Sequence, residues 1–221
     1  MDNLIEIISS YAILIPLAVG LIFFPKHDGV ARVMLLLLFI ATIPQLAAII
    51  FDKNIIWPLY NLFIFFDITA WAIIFYFCIQ KHTRWLIVVF YSMFFSIFLY
   101  LIILEGISHR FFSELVCLIS LIEVLWVSLY FYQLYKSDTL FKIEGQPIFW
   151  FCMAILIYAP SSYFLFAFRS YLDANPSLAY LWSIHGVLNT LYYLLIAIGF
   201  FVSKKNLKLP KKLTWNQNIS Y

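Results

Sequence analysis

Seven long apolar runs, set apart by short polar breaks, constrain this chain more than any other feature of its sequence. A helix needs about 20 mostly apolar residues to cross the roughly 30 Å hydrocarbon layer of a bilayer. The runs Leu4–Phe24, Ala31–Ile50, Trp57–Cys78, Trp85–Leu104, Phe111–Tyr135, Ile148–Phe168 and Leu178–Val202 all reach that length. Lipid offers no water to unpaired backbone groups, so such runs must be helices. The breaks carry turn chemistry, from Pro25 to Gly29, Asp52 to Asn54, Gln80 to Arg84, Glu105 to Arg110, Lys136 to Pro147 and Leu172 to Pro176. With 65% of its 221 residues apolar and 11% charged, the chain has more apolar surface than a soluble globule of this size can bury. A soluble enzyme, a nucleic-acid-binding domain and a disordered chain are excluded. The expected fold is all-α, a polytopic membrane bundle of seven transmembrane helices over residues 1–202 with a basic tail over 203–221.

Lys and Arg are retained on the cytoplasmic side, so their distribution sets the orientation. With the N-terminus outside, the inner segments hold Lys26, Arg32, Lys81, Arg84, Lys136 and Lys142, and the tail adds Lys204, Lys205, Lys208, Lys211 and Lys212. The outer segments hold only Lys53, Arg110 and Arg169. The N-terminus is therefore expected outside and the C-terminus in the cytoplasm, in a multi-pass protein of the inner (plasma) membrane with the lipid bilayer as its first partner. Met1 to Glu6 carry no basic side chain, so the first run is expected to stay as a helix and not to be cleaved as a signal peptide. Cys78, Cys117 and Cys152 all sit in apolar runs without metal or redox spacing and read as small hydrophobes. No stretch between the runs is long enough to fold as a catalytic or nucleotide-binding domain.

Ionisable groups at membrane depth are costly, about 2.5–3.5 kcal/mol each on insertion scales, so each needs a partner or a task. Asp67 falls at the centre of the third run, Glu123 at the centre of the fifth, and His185 about one turn outward of the centre of the seventh. His185 and Asn189 share a helix face, four residues apart. Tyr60, Asp67 and Trp71 share one face of the third run, and Ser120 and Glu123 share one face of the fifth. Gln45 in the second run and Tyr158 in the sixth add polar groups at similar depth. These eight residues, Asp67, Glu123, His185, Asn189, Tyr60, Gln45, Tyr158 and Ser120, could line a ligand- or proton-binding pocket open to the outer side. The competing reading is a hydrogen-bonded polar core that only holds the helices in register. Pro16, Pro44 and Pro160 should kink their helices.

Three segments carry a resemblance. They are Trp57-Pro58-Leu59-Tyr60-Asn61-Leu62 running on to Asp67, Pro147-Ile148-Phe149-Trp150 running on to Tyr158, and Leu181-Trp182-Ser183-Ile184-His185-Gly186-Val187-Leu188-Asn189 followed by Ile198-Gly199-Phe200. From the second run onward the chain resembles small seven-helix membrane proteins of Bacteroidota, similar to modules that precede histidine-kinase domains. The resemblance implies a carboxylate role at position 67, where those proteins often carry Glu. The kinase-fused forms continue beyond the seventh helix and this chain does not, so output is expected to pass through a partner. A single Pro44-Gln45 dipeptide does not make a PQ-loop transporter, which carries that pair twice.

The leading expectation is a non-enzymatic sensor that binds a small-molecule ligand or protons and signals to a membrane or cytoplasmic partner. The alternative is a small-solute or proton-coupled transporter using the same carboxylates. No catalytic residue, metal ligand, cofactor or nucleic-acid contact is assigned, because one membrane histidine without a ligand set supports no intramembrane enzyme. The charge distribution makes the topology testable. A reporter fused after Tyr221 should be active only on the cytoplasmic side and one inserted within Leu172–Pro176 only on the outer side. A reporter after Tyr221 that is active on the outer side would overturn the orientation.

Overall fold

The computed structural model describes residues 2–24, 27–51, 53–107, 110–136, 143–178 and 180–203, and among them every regular element is helical. The first apolar run forms two short helices, α1 (Asp2–Tyr11) and α2 (Leu14–Phe23). Then come α3 (Gly29–Ile50), α4 (Lys53–Cys78), α5 (Arg84–Glu105), α6 (Ser113–Lys136), α7 (Pro147–Ala167), the short α8 (Arg169–Ala174) and α9 (Tyr180–Ser203). Six of these helices are long and apolar enough to cross a membrane, and the first run supplies a shorter apolar stretch over Ile7–Phe23. The chain is thus a polytopic helical bundle. The basic tail from residue 204, Lys26, Lys142 and much of the expected loop after Lys136 lie outside the described residues.

The first apolar run differs from the single kinked helix that its sequence suggests, and Pro16 is the cause. Proline has no N–H for the carbonyl four residues back, and its ring crowds that carbonyl. The Ala12 carbonyl accepts instead from the Ile15 N–H at 3.1 Å, a tighter turn that ends one helix and starts another. Pro44 and Pro160 remain inside continuous helices, as does Pro58. The α3 start is set by Asp28, whose carboxylate accepts from the Ala31 N–H at 2.8 Å, a side-chain N-cap. At the end of α5, Gly106 takes φ 74°, a backbone region that side chains with a Cβ avoid.

The core lies between α3, α4, α6, α7 and α9, and its largest side chains are aromatic. Trp71, Phe75, Trp126, Phe151 and Phe200 are fully buried. Gly199 lets α9 approach α7 closely, since a Cβ there would overlap the Phe151 ring. α5 is peripheral: Ile87, Phe94 and Phe98 turn inward, while Val88, Val89, Tyr100, Ile103 and Leu104 face outward. In a bilayer that outward face meets lipid tails as apolar as itself.

Two buried amides pin the turns at opposite ends of the bundle. At one end Asn61, fully buried near the start of α4, donates to the carbonyls of Ile107 (2.9 Å) and Arg110 (2.8 Å) and accepts from the Phe112 N–H (3.0 Å). At the other, Gln133 of α6 accepts from the Gln80 N–H at 2.9 Å and donates to the Thr83 hydroxyl. Asn61 of α4 therefore grips the α5–α6 connection, and Gln133 of α6 grips the α4–α5 turn. Outside the Asn61 end, Arg110 bridges Glu105 and Glu114, and the hydrogen bond to Glu105, ahead of that to Glu114, holds its guanidinium even more firmly protonated than usual.

His27 closes the Gln133 end between α2 and α9. It is 4% exposed, its Nε2 lies 2.9 Å from the Gly20 carbonyl oxygen, and its ring lies 5.0 Å from that of Phe200. Burial pushes its pKa below the usual 6.5, and the Gly20 bond and Asp28 only partly offset this. A histidine whose folded pKa is depressed contributes stability above its unfolded pKa and loses it as protons bind the unfolded chain first. Stability should therefore fall as pH drops below about 6.5, and the slope should flatten in His27→Gln. Thermal unfolding in detergent across that range checks it.

Candidate functional site

The centre of the bundle brings the two membrane carboxylates together. Asp67 sits mid-way along α4 and Glu123 mid-way along α6, near enough for the charge of one to act on the other. Glu123 is buried with its Oε1 unpartnered among the described residues. One turn beyond Asp67, the Trp71 indole lies within reach of the Asp67 carboxylate. Trp126, one turn beyond Glu123, has its indole N–H unpartnered as well. Phenols surround the pair: Tyr158 of α7 and Tyr192 of α9 are close enough to feel both carboxylates, and Tyr193 feels Asp67. Tyr60, two turns before Asp67, lies near Tyr158 and Tyr193.

His185 joins this group through Tyr158. The two rings lie 5.1 Å apart, and Tyr158 stacks on Tyr192 at 4.9 Å. The His185 Nδ1 is 3.3 Å from the Ser161 hydroxyl of α7. The imidazole thus stands one ring away from the carboxylates, and Tyr158 is the link.

The remaining three expected residues do other work. Asn189 reaches α1, where its amide donates to the Ser9 hydroxyl at 3.0 Å and, more weakly, to the Ser9 carbonyl at 3.5 Å. That carbonyl lies at the helix break, where an extra donor is wanted. Ser120 donates to the Val116 carbonyl of its own helix at 2.8 Å, which satisfies the hydroxyl locally. Gln45 lines a separate small cavity of about 20 Å³ with Ser10 and Thr42, beside the break in the first apolar run. A second cavity of about 200 Å³ lies between α3 and α4 and is lined by Asp28, Val33, Ile73 and Phe77. Neither is lined by Asp67, Glu123 or His185.

The two sides of the carboxylate pair differ in packing. Towards the Gln133 end lie Trp71, Phe75, Trp126, Phe151 and Phe200, all fully buried, with the Phe75 ring 5.9 Å from both tryptophans. Towards the Asn61 end, beside the fully buried Phe112, runs a chain of half-buried rings. Tyr60 meets Phe111 at 6.2 Å, Phe111 meets Phe166 at 5.6 Å, and Phe166 meets Trp182 at 5.8 Å and His185 at 6.2 Å. The Arg169 guanidinium lies over Phe111 at 5.4 Å.

Comparison with known proteins identifies no relative. No family model, curated protein or solved structure matches the chain. What the site can do rests on its own chemistry.

Sequence reading did not single out three of the parts that shape this site. Asn61 appeared only within a motif, because a helical Asn is an ordinary sight and its three bonds are to a distant turn. Tyr192 and Tyr193 stand in an apolar run without an ionisable neighbour beside them in sequence, yet the fold turns them towards the carboxylates. Spacing could have found Tyr192, which lies seven residues from His185 on the same helix face. Asn61 also gives a test. Asn61→Leu leaves two carbonyls and one N–H without partners, and at roughly 1 kcal/mol or more per lost bond it should cost about 3 kcal/mol of stability. Thermal unfolding that matches the parent would show that the turn before α6 does not depend on this amide.

Proposed function

We propose that this multi-pass helical membrane protein is a sensor module that binds a small ligand or protons at the Asp67–Glu123 pair, with access from the Asn61 end. The observation that carries the reading is a pair of facing carboxylates at mid-span, one of them buried with an oxygen unpartnered. A merely structural polar core would satisfy its members, because an unpaired buried acceptor is expensive. The unequal cover on the two sides supports access from one end only. Half-buried rings can part, whereas the fully buried tryptophan and phenylalanine layer is continuous with the core. With the N-terminus outside, as the Lys and Arg distribution favours, access is from the outer face of the inner membrane. Occupancy would reach a membrane or cytoplasmic partner through α9, which carries Tyr192, Tyr193 and His185 and ends at the basic tail.

One observation favours the transporter reading instead. Interrupted helices near mid-membrane are a recurrent feature of transporters, and the first apolar run is interrupted. The two readings differ in what crosses the bilayer. In proteoliposomes loaded with a pH-sensitive dye, an external pH jump applied from the Asn61 side should change tryptophan fluorescence while luminal pH stays constant. Asp67→Asn and Glu123→Gln should remove the fluorescence response and leave the fold intact. A protein-dependent change in luminal pH would favour the transporter, and a response unaltered in both variants would remove the carboxylates from the site.

A further inference from the structure

We propose that Asp67 and Glu123 together hold one exchangeable monovalent cation, an alkali-metal ion that competes with a proton for the pair. This rests on the preceding reading of the carboxylates as a binding site and names what occupies it.

The first argument is charge balance. The Lys and Arg residues among the described segments all stand at or beyond helix ends: Arg32 in the first turn of α3, Lys53 at the first residue of α4, Lys81 and Arg84 at the α4–α5 turn, Arg110 before α6, Lys136 at its last residue and Arg169 at the start of α8. None lies at the depth of Asp67 and Glu123. His185 is separated from the pair by the Tyr158 ring. The groups that face the carboxylates are Trp71 from α4, Tyr158 from α7, and Tyr192 and Tyr193 from α9, and none of these can supply a positive charge. A single proton shared by the pair still leaves one negative charge. Among the described residues nothing supplies the matching positive charge, so it comes from a second proton or from a cation.

The second argument is the unpartnered Glu123 Oε1, more than nine-tenths buried beside Asp67. Asp67 has the Trp71 indole within reach, but Glu123 Oε1 has no donor. A site with one carboxylate supplied and the other open is asymmetric in a way that one bound cation completes.

The third argument is rigidity. Asn61 fastens α4 to the turn before α6 at one end, and Gln133 fastens α6 to the turn after α4 at the other. The carboxylates sit between these two fastenings, so the helices cannot separate to relieve repulsion, and relief must come from a bound charge.

The donor set then selects the ion. Carboxylate and phenol oxygens are hard ligands, which suit alkali and alkaline-earth ions and not soft metals. No group of three or more His, Cys, Asp or Glu fit to hold a metal occurs among the described residues. A divalent calcium ion takes six to eight oxygens, often from several carboxylates. Two carboxylates that retain one proton carry a net single charge, which matches a monovalent ion. When the ion enters a doubly protonated pair, one proton leaves, and the carboxylate, the carboxylic acid and the ion together stay neutral.

The test uses the full-length protein in detergent or nanodiscs, with unfolding followed by tryptophan fluorescence. Lithium, sodium and potassium chloride are compared with N-methyl-D-glucamine chloride at equal ionic strength. A ligand of the folded state alone raises the unfolding temperature as its concentration passes the dissociation constant. At least one alkali ion should raise it saturably where the organic cation does not. Because one proton is displaced per ion, the concentration needed should rise about tenfold for each unit the pH is lowered. Asp67→Asn and Glu123→Gln should each abolish the ion-specific shift. Equal unfolding temperatures in all four salts, a midpoint independent of pH, or an ion effect that survives in both variants would overturn the proposal. If Glu123→Gln does not fold, the parent ion series and Asp67→Asn decide the matter. A parent that ignores alkali ions but keeps its carboxylate-dependent response to external pH would show a proton as sole occupant, ending this proposal while sparing the sensor reading. Loss of both responses would end the two together.

Discussion

Lipid gives a buried polar group neither a donor nor an acceptor, and the arrangement of this bundle follows from how each such group is met from within the chain. Most hydroxyls solve the problem locally: Thr69, Ser96, Ser120, Ser128 and Thr190 each donate to a carbonyl one turn back on their own helix. Side-chain amides work over longer distances. Asn61 and Gln133 hold turns at the two ends, and Asn189 supports the α1 break. Among the few buried polar atoms left without a partner, which include the Trp126 indole N–H and the Ser162 hydroxyl, Glu123 Oε1 is the carboxylate oxygen. Of these it is the acceptor that can carry a negative charge, which gives a proton or cation a thermodynamic reason to bind there.

Position along the helix assigns these roles as much as residue type does. An amide near a helix end can reach the carbonyls of a neighbouring turn, because turns have carbonyls to spare. A carboxylate at mid-helix faces only other side chains, since the backbone around it is already paired. Asn61 and Asp67 lie on one helix, six residues apart, yet one is fully satisfied and the other depends on an indole and on whatever shares its charge. The aromatic residues around the pair extend this division. The rings towards the Gln133 end pack as core, while those towards the Asn61 end form a looser chain that ends at the exposed Arg169–Asp173 pair.

Much of this was legible in the sequence, for a physical reason. Length and apolarity determine whether a segment crosses a bilayer, and the six long helices lie where the apolar runs placed them. The depth of Asp67, Glu123 and Tyr158 followed from counting along those runs. Which residues meet across helices did not follow, because that depends on how each helix is rotated about its axis. In a chain apolar on nearly every side, the pattern says little about rotation. Ser120 satisfying its own helix, Asn189 turning to Ser9 and Tyr192 turning to the carboxylates all follow from that missing angle. The split at Pro16 was hidden for another reason. Pro44, Pro58 and Pro160 leave their helices whole, so proline content does not show which helix breaks.

That split gives the first apolar run a joint. α9 is held at two heights, by α1 where Gly186 and Asn189 meet Ser9, and by α2 where Phe200 lies against Gly20. Between the two grips the ladder of the first apolar run lacks a rung, since Pro16 has no N–H to offer Ala12. A continuous helix gripped twice would resist axial sliding of its neighbour like a splint. Two half-helices gripped separately turn the same displacement into an angle at Ala12 and Ile13. The elbow lies beside the small hollow lined by Ser10, Thr42 and Gln45, so the angle between the two half-helices sets the width of that hollow.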